Sequence, residues 1–247
     1  MRSGYDFSGF LLHAEQIRDA GWRPCAFPFN LPAVASWNKL EFHEAVTFIA
    51  GENGSGKSTL IEAIAEAAGF NPEGGSKDHT FSTNETHSPL GQHLRLVRGA
   101  RRETTGYFLR AETFYTQTSF LDREGNRAVH GGRRLLDRSH GEGMFAIFMD
   151  RFTAGGLYIL DEPEAALSPQ RQLALLSRIN DLVREGSQFI IATHSPILMA
   201  FPEAWIYFID DAGPLRTAWE DVEHVDLMRR FLEHPDRFLD LLLGDES

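Results

Sequence analysis

The fold is decided by the stretch GENGSGKS, which runs from Gly51 to Ser58 and matches the phosphate-loop pattern GxxxxGK[ST]. It follows the apolar run VTFIA and opens a segment with helical spacing, so it joins a predicted strand to a predicted helix. Glycines let the backbone bend until successive N–H groups point at phosphate oxygens, and the helix N-terminus adds the positive end of its dipole. In this pattern Lys57 reaches the β- and γ-phosphates, and the Ser58 hydroxyl is a ligand of magnesium. The predicted phosphate contacts are Asn53, Gly54, Ser55, Gly56, Lys57, Ser58 and Thr59.

Predicted strands alternate with predicted helices around this loop. Apolar residues at helical spacing predict one helix that starts near Ser58 and stops at Gly69, and another that starts near Pro169 and ends at Gly186. Short apolar runs bounded by turn residues or charges predict the buried strands Val46–Ala50, Leu157–Leu160, Gln188–Ala192 and Ile206–Ile209. This order predicts the α/β class: a P-loop NTPase whose mostly parallel sheet is flanked by helices.

The remaining segments have weaker patterns. Residues 71–91 are rich in Gly, Ser, Thr, Asn and Pro, which predicts a long loop or lid. Residues 94–98 (LRLVR) and 106–112 (GYFLRAE) alternate across a polar turn, which predicts an antiparallel β pair. We expect further strands in residues 26–42 and short amphipathic helices in the last thirty residues. The expectation is one domain over residues 1–247, with subregions 1–70 (N-terminal strands and phosphate loop), 71–138 (lid and antiparallel insert), 139–215 (further site motifs) and 216–247 (C-terminal helices).

Two acids and a histidine follow predicted strands. Asp161 and Glu162 come directly after Leu157–Leu160, and His194 follows the run QFIIAT. The carboxyl ends of parallel strands gather around a ligand in open α/β sheets. Asp161 is therefore expected to hold magnesium through its water shell, and Glu162 to polarise the water that attacks the γ-phosphate. A positioned general base contributes about 10²–10⁴-fold to a rate. His194 is expected to sense or bond the γ-phosphate.

These motifs resemble the nucleotide-binding domains of the ABC (ATP-binding cassette) superfamily. The resemblance rests on ENGSGKSTL, on DEP after an apolar strand and on ATHSP. The string RSHGE, Arg138 to Glu142, resembles the signature loop of that superfamily. The resemblance implies that Ser139 and Gly141 act in trans on the γ-phosphate bound by a second copy. It therefore implies an ABC-type ATPase that binds ATP with Mg²⁺ and forms a homodimer around the nucleotide.

The sequence departs from the superfamily pattern at several positions. Arg138 and His140 replace the usual Leu and Gly of the signature loop. The string DEPEAALSP lacks the last aspartate of transporter domains and is similar to the form found in stand-alone ATPases of the SMC-like, RecF-like and OLD-like branch. No glutamine stands where the Q-loop, a metal and water contact, is expected: Glu112 is there, and Gln117 follows as a rival. The aromatic residue that would stack on adenine is not identified by the pattern either. Phe27, Phe29 and Trp37 are the candidates, and the alternative for each is a place in the hydrophobic core.

Composition limits the partners. The net charge of −11 argues against a protein that coats duplex DNA, which usually carries a basic face. Two clusters of arginines are the notable basic regions, and they are compatible either with a solvated surface or with contacts to an anion or a nucleic acid. They are Arg95, Arg98, Arg101 and Arg102, and Arg133, Arg134 and Arg138. There is no apolar run long enough to span a bilayer, and the single cysteine, Cys25, fits a reducing compartment, so a cytoplasmic location is predicted.

Three functions are compatible with these motifs. The first is a stand-alone ATPase switch in DNA maintenance or defence, with a nucleic acid or an effector protein as partner. The alternative is the ATP-binding subunit of a membrane transporter, which the altered segment after DEP and the unclear Q-loop disfavour. The third, a nucleotide-binding platform without catalysis, is disfavoured because Glu162 and His194 are both present.

Overall fold

The computed structural model describes residues 8–76, 88–112 and 140–244, without the side chain of His140. The strands are β1 Leu11–Gln16, β2 Lys39–Glu41, β3 Val46–Gly51, β4 Gly75–Ser76, β5 Leu94–Arg98, β6 Thr105–Arg110, β7 Gly156–Asp161, β8 Gln188–Ala192, β9 Trp205–Asp210 and β10 Gly213–Thr217. The α-helices are α1 Pro32–Ala35, α2 Lys57–Ala67, α3 His140–Asp150, α4 Pro169–Arg184, α5 Pro196–Met199, α6 Glu223–Glu233 and α7 Pro235–Leu243. Pro89–His93 and Trp219–Asp221 form 3₁₀ helices.

A seven-stranded sheet carries the predicted parallel strands. Its order is β10-β9-β3-β8-β7-β6-β4, with β9, β3, β8, β7 and β6 parallel and the two edge strands antiparallel to their neighbours. The predicted α/β class and the four predicted strands are confirmed. All residues of β3, β7 and β8 are buried, as expected for parallel strands that are covered on both faces.

Alternate residues of the central strands enter two separate cores. Ile49 and Ile159 face the side on which α2 packs, through residues such as Leu60. Phe48 and Tyr158 face the opposite side, which α3, α4 and the start of α6 cover. Because side chains alternate across a strand, continuous apolar runs supply both layers at once. Both predicted helices are confirmed: α2 begins at Lys57, and α4 begins at Pro169, where the Ser168 hydroxyl accepts a hydrogen bond from the Arg171 N–H (3.4 Å).

The predicted antiparallel pairing of residues 94–98 with 106–112 is wrong. Strand β5 pairs with β1 in a separate antiparallel sheet of order β2-β1-β5, and β6 pairs in parallel with β7. Residues Gly106 to Leu109 are all buried, so β6 needs a neighbouring layer on both faces and becomes a strand of the central sheet. Strand β5 is only half-buried, which suits the smaller sheet. The polar turn joins two sheets instead of closing a hairpin.

The other weak predictions have mixed outcomes. Residues 26–42, where strands were expected, contain the strand β2 but also the helix α1. The described parts of the predicted lid contain β4 and the start of a 3₁₀ helix, and residues 77–87 of that lid lie outside the described residues. The C-terminal amphipathic helices are confirmed as α6 and α7, with Val225 buried and Leu241 exposed. Within the described part of the chain, no helix is both long and apolar enough to cross a membrane.

Candidate functional site

The phosphate loop connects the end of β3 to the start of α2, as predicted. Gly54 and Gly56 have φ angles of 82° and 93°, in the left-handed region that favours glycine. A Cβ at Gly56 would lie 3.0 Å from Leu31 Cδ1, whereas one at Gly54 would meet nothing within 4 Å. The Ser55 hydroxyl is buried and has no hydrogen-bond partner among the described residues. Open space above a turn and an unpaired hydroxyl inside it fit a bound phosphate. The turn and the first helical turn together contain Asn53, Gly54, Ser55, Gly56, Lys57, Ser58 and Thr59.

Lys57 is a buried ammonium at the centre of the site. Its Nζ donates to the backbone carbonyl of Glu52 at 2.6 Å, so the side chain folds back over its own loop. Burial lowers the pKa of Lys57, and the negative charges of Glu162 and Asp161 oppose that shift. The Lys57 side chain therefore lies close enough to both carboxylates to interact with their charges.

Ser58 and Asp161 meet across the sheet edge. The Ser58 hydroxyl donates to Asp161 Oδ1 at 3.1 Å, although the two residues are 103 positions apart. Burial raises the pKa of Asp161 from its ordinary 3.8 to about 7, while Arg110 and the Ser58 hydrogen bond oppose the rise. A hydroxyl beside a carboxylate is an oxygen donor set that suits Mg²⁺. Within residues 8–76, 88–112 and 140–244, no group of three or more His, Cys, Asp or Glu could hold a metal alone.

The raised pKa of Asp161 predicts a pH-dependent stability. Since the folded pKa lies above the unfolded one, the folded state binds the proton more tightly, and the free energy of unfolding falls as pH rises from about 4 to 7. We therefore expect Asp161→Asn to be more stable than the unsubstituted protein at pH 8, by on the order of a few kcal/mol. The difference should shrink as pH approaches 4. Denaturant unfolding without nucleotide measures it, and the exposed Asp181→Asn is the control; a difference independent of pH would contradict the prediction.

Glu162 occupies a strained position at the end of β7. Its φ of 51° is left-handed, which costs a non-glycine residue about 1–2 kcal/mol. The Glu162 N–H donates to the Ala192 carbonyl at 2.9 Å, so the strand pairing holds the backbone in place. The carboxylate is partly exposed, and its Oε1 lies 3.5 Å from His194 Nε2, which is long for a hydrogen bond. Strain of this kind is found at functional sites.

His194 lies in a loop that the segment after Glu162 holds in place. The His194 N–H donates to Glu164 Oε1 at 2.6 Å, and the neighbouring Ser195 hydroxyl donates to Gln172 Oε1 at 2.6 Å. Burial lowers the pKa of His194, and the charge of Lys57 lowers it further. Nε2 is buried without a hydrogen-bond partner in the part of the chain that the structure describes. No role was expected for Glu164 or Gln172 from the sequence, although both follow the DEP motif.

The metal ligand predicted at Glu112 lies near enough to Asp161 for its charge to help raise the pKa of that carboxyl. Its side chain is 82% exposed and lies 3.5 Å from Arg110 Nη2. The side chain at this sheet edge is instead that of Arg110, the last residue of β6, with Nε 3.9 Å from Asp161 Oδ2 and Nη1 3.3 Å from Glu62 Oε2. Sequence reasoning missed Arg110 because its proximity depends on the pairing of β6 with β7. The rival Gln117 lies outside the described residues.

Of the predicted signature residues, Ser139 lies outside the described residues and Gly141 lies in the first turn of α3. Gly141 is buried, and a Cβ there would collide with the backbone carbonyl of Ala166 and lie 3.1 Å from Arg171 Nη1. A glycine is therefore required by packing within one chain, independently of any contact with a second copy.

The three candidate aromatic residues differ in exposure. Phe29 and Trp37 are 4% and 7% exposed and belong to the core, where the Trp37 Nε1–H donates to the Ala33 carbonyl at 2.7 Å. Phe27 is 66% exposed. It precedes α1, which touches the phosphate loop through a hydrogen bond from the Ala33 N–H to the Ser55 carbonyl (3.0 Å). Of the three, Phe27 is the one that a base could stack on.

Comparisons with known proteins agree with this geometry. A family model described as "AAA domain" matches residues 33–133, and one described as "AAA domain, putative AbiEii toxin, Type IV TA system" matches residues 138–200. The cytochrome c biogenesis ATP-binding export protein CcmA of Rhizobium johnstonii is 27% identical over 179 residues, which are 64% of this chain and 80% of that protein. The ABC transporter G family member STR2 of Medicago truncatula is 25% identical over 179 residues, 61% of this chain and 24% of that protein.

Two solved structures illustrate the structural comparison, and the first of them supports the fold. The cbiO1 subunit from Clostridium perfringens, part of the ABC transporter complex cbiONQ, has a TM-score of 0.50 and 14% identity, and the match covers 95% of this chain and 96% of that one. The SMC head domain of Thermotoga maritima has a TM-score of 0.45 and 15% identity, with 84% and 98% covered.

These findings define the class of fold, a P-loop domain with a mostly parallel α/β sheet that is similar to AAA domains. More particularly, they confirm the predicted resemblance to ATPase domains of the ABC superfamily. Proteins with domains of this family are typically ATPases.

Proposed function

We propose that this chain binds ATP with Mg²⁺ and hydrolyses it to ADP and phosphate. The observation that carries the proposal is the meeting of Ser58 and Asp161 (3.1 Å) beside the buried Lys57. Glu162 and His194 lie at the ends of the neighbouring strands β7 and β8, on the same sheet edge. Phosphoryl transfer depends mainly on positioning and on charge stabilisation, which these groups can supply without covalent chemistry.

Each side chain has a definite task in this proposal. Lys57 exchanges the Glu52 carbonyl for the β- and γ-phosphate oxygens, and the loop N–H groups donate to the phosphates. Ser58 and Asp161 hold Mg²⁺, which neutralises charge on the phosphates when bound. Glu162 accepts the proton of the attacking water, and the neutral imidazole of His194 donates to the γ-phosphate. Phe27 stacks on the adenine.

The proposed working form is a homodimer around ATP. Each chain would supply the phosphate loop and Glu162 to one nucleotide, and Ser139 and Gly141 to the nucleotide of the other chain. ATP then favours the closed dimer, because only the closed state gains the contacts to the γ-phosphate. Hydrolysis removes that phosphate and releases the dimer, so the domain acts as a switch.

For the process that the switch drives, we favour a stand-alone ATPase in DNA maintenance or defence, in the cytoplasm. Its support is the DEPEAALSP string and the family model whose description names a toxin–antitoxin system. Arg101 and Arg102 are exposed, whereas Arg95 pairs with Glu15, and Arg98 with Glu103 at 2.9 Å. The second candidate is the ATP-binding subunit of a transporter, which the likeness to CcmA and cbiO1 supports.

Calorimetry with MgATP, followed by phosphate release, tests the proposal. We expect micromolar affinity for ATP and slow turnover; absence of any binding in the presence of Mg²⁺ would overturn it. The same assay with duplex and single-stranded DNA separates the two roles. Stimulation by DNA that weakens with salt and with Arg101→Gln/Arg102→Gln supports the first role. Unchanged turnover with DNA favours the second.

A further inference from the structure

Helix α6 brings a second histidine to the candidate site. The ring of His224, in the first turn of α6, lies 6.0 Å from the ring of His194 and 6.0 Å from the ring of Phe208, centroid to centroid. The flanking Val222 and Val225 are buried in the core. Just before the helix, the Trp219 Nε1–H donates to the Pro196 carbonyl at 3.0 Å, two residues beyond His194. The position of His224 is therefore fixed by packing on both sides.

Both imidazoles have a buried nitrogen without a partner. His224 Nε2 and His194 Nε2 are shielded from solvent and have no hydrogen-bond partner in residues 8–76, 88–112 and 140–244, and the carboxylate nearest to His194 Nε2 is Glu162 Oε1, at the long distance of 3.5 Å. Buried polar atoms are nearly always hydrogen-bonded, so one bound group that reaches both nitrogens would account for both exceptions. Two hydrogen bonds of about 2.8–3.0 Å to one oxygen require donor nitrogens no more than about 6 Å apart, and the centroids of these two rings are 6.0 Å apart.

The charges that act on His224 come from His194 and Lys57. Burial lowers the pKa of His224, and the nearby His194 and Lys57 lower it further. The imidazole is thus held neutral next to a positive ammonium, and a neutral imidazole can donate from Nε2 when its tautomer carries the proton there. A phosphate oxygen would pair with Lys57 and accept from both rings, which no cation could do.

We propose that His224 is a further nucleotide-binding residue, which together with His194 donates a hydrogen bond to an oxygen of the terminal phosphate of a nucleoside triphosphate. The inference rests on the proposed function and extends it to a residue outside the strand-end motifs. It also makes α6 the element that gains a contact when the triphosphate binds and loses it when the terminal phosphate leaves.

Two variants of His224 test this inference. His224→Phe keeps a ring without a donor, and His224→Gln keeps a donor. With Mg²⁺ and a non-hydrolysable ATP analogue, His224→Phe should bind about tenfold more weakly or worse, the size of a lost hydrogen bond to a charged group. Its ADP affinity should change less than about twofold, since ADP lacks that phosphate, and His224→Gln should recover part of the loss. The exposed His234→Phe is the matched control.

The outcomes separate the inference from the proposed function. Equal losses for the ATP analogue and ADP, or no loss for either, would overturn the role of His224 while leaving ATP binding intact. Failure of the unsubstituted protein to bind either nucleotide would overturn the proposed function itself. A measurement without substitution gives a second check: the assigned ¹⁵N signals of His224 should shift with the ATP analogue and Mg²⁺ but not with ADP. Identical signals in both states would refute the contact.

Discussion

Glu162→Gln is expected to lower ATP turnover by at least about 100-fold, as for a lost general base, while ATP stays bound. Glutamine has nearly the same shape and can keep the 2.9 Å backbone hydrogen bond to Ala192, but it cannot accept the proton of the attacking water. The bound triphosphate then persists, and with it the closed form. Phosphate release measures the turnover, and light scattering with ATP measures the trapped dimer.

The chain offers a matched control for this substitution. Glu203 is the other described non-glycine residue with a positive φ (61°), and it lies in an exposed turn. Glu203→Gln makes the same chemical change in the same backbone region and should leave turnover unchanged. Rapid turnover by Glu162→Gln would refute the role assigned to Glu162, and equal losses in both variants would indicate a general effect on folding.

Lys57→Ala is expected to weaken binding of ATP on the order of 100-fold, because it removes a charge-assisted hydrogen bond to the phosphates from a buried site. ADP should lose affinity as well, since Lys57 is expected to reach the β-phosphate. Calorimetry with Mg²⁺ measures both affinities.

Lys39→Ala is the control for this variant, because Lys39 is exposed and, among the described residues, forms an ion pair only with Glu41, at 2.6 Å. Thermal unfolding without nucleotide should find both variants folded. Unchanged ATP affinity in Lys57→Ala would contradict the role of the phosphate loop.

The sequence predicted the parts of the site that depend on strand ends. A phosphate loop, two acids and a histidine each follow an apolar run, and the parallel order of β3, β8 and β7 brings them to one edge. Local patterns are sufficient here because a strand end fixes where the next residue lies. The meeting of Ser58 with Asp161 could be expected on this basis.

Contacts that depend on long-range pairing could not be predicted. Arg110 reaches Asp161 because β6 lies beside β7, and the alternation in residues 94–112 suggested a hairpin instead. His224 reaches His194 because α6 packs back over the site, and no local pattern indicates that. The left-handed backbone of Glu162 is equally hidden, since glutamate has no preference for that conformation.

The close fit of Gly141 against the Ala166 carbonyl affects the interpretation of experiments that substitute this glycine to test cooperation between subunits. The absence of a side chain at Gly141 is required where α3 packs against the turn after Glu162, and the proposed dimer would place the same residue against a second copy. A bulkier residue there would dislodge its own catalytic turn before it disturbed its neighbour. In a heterodimer with one subunit substituted at this glycine, a loss of activity would therefore reflect a structural change inside the substituted subunit. It would not by itself show a lost contact between subunits.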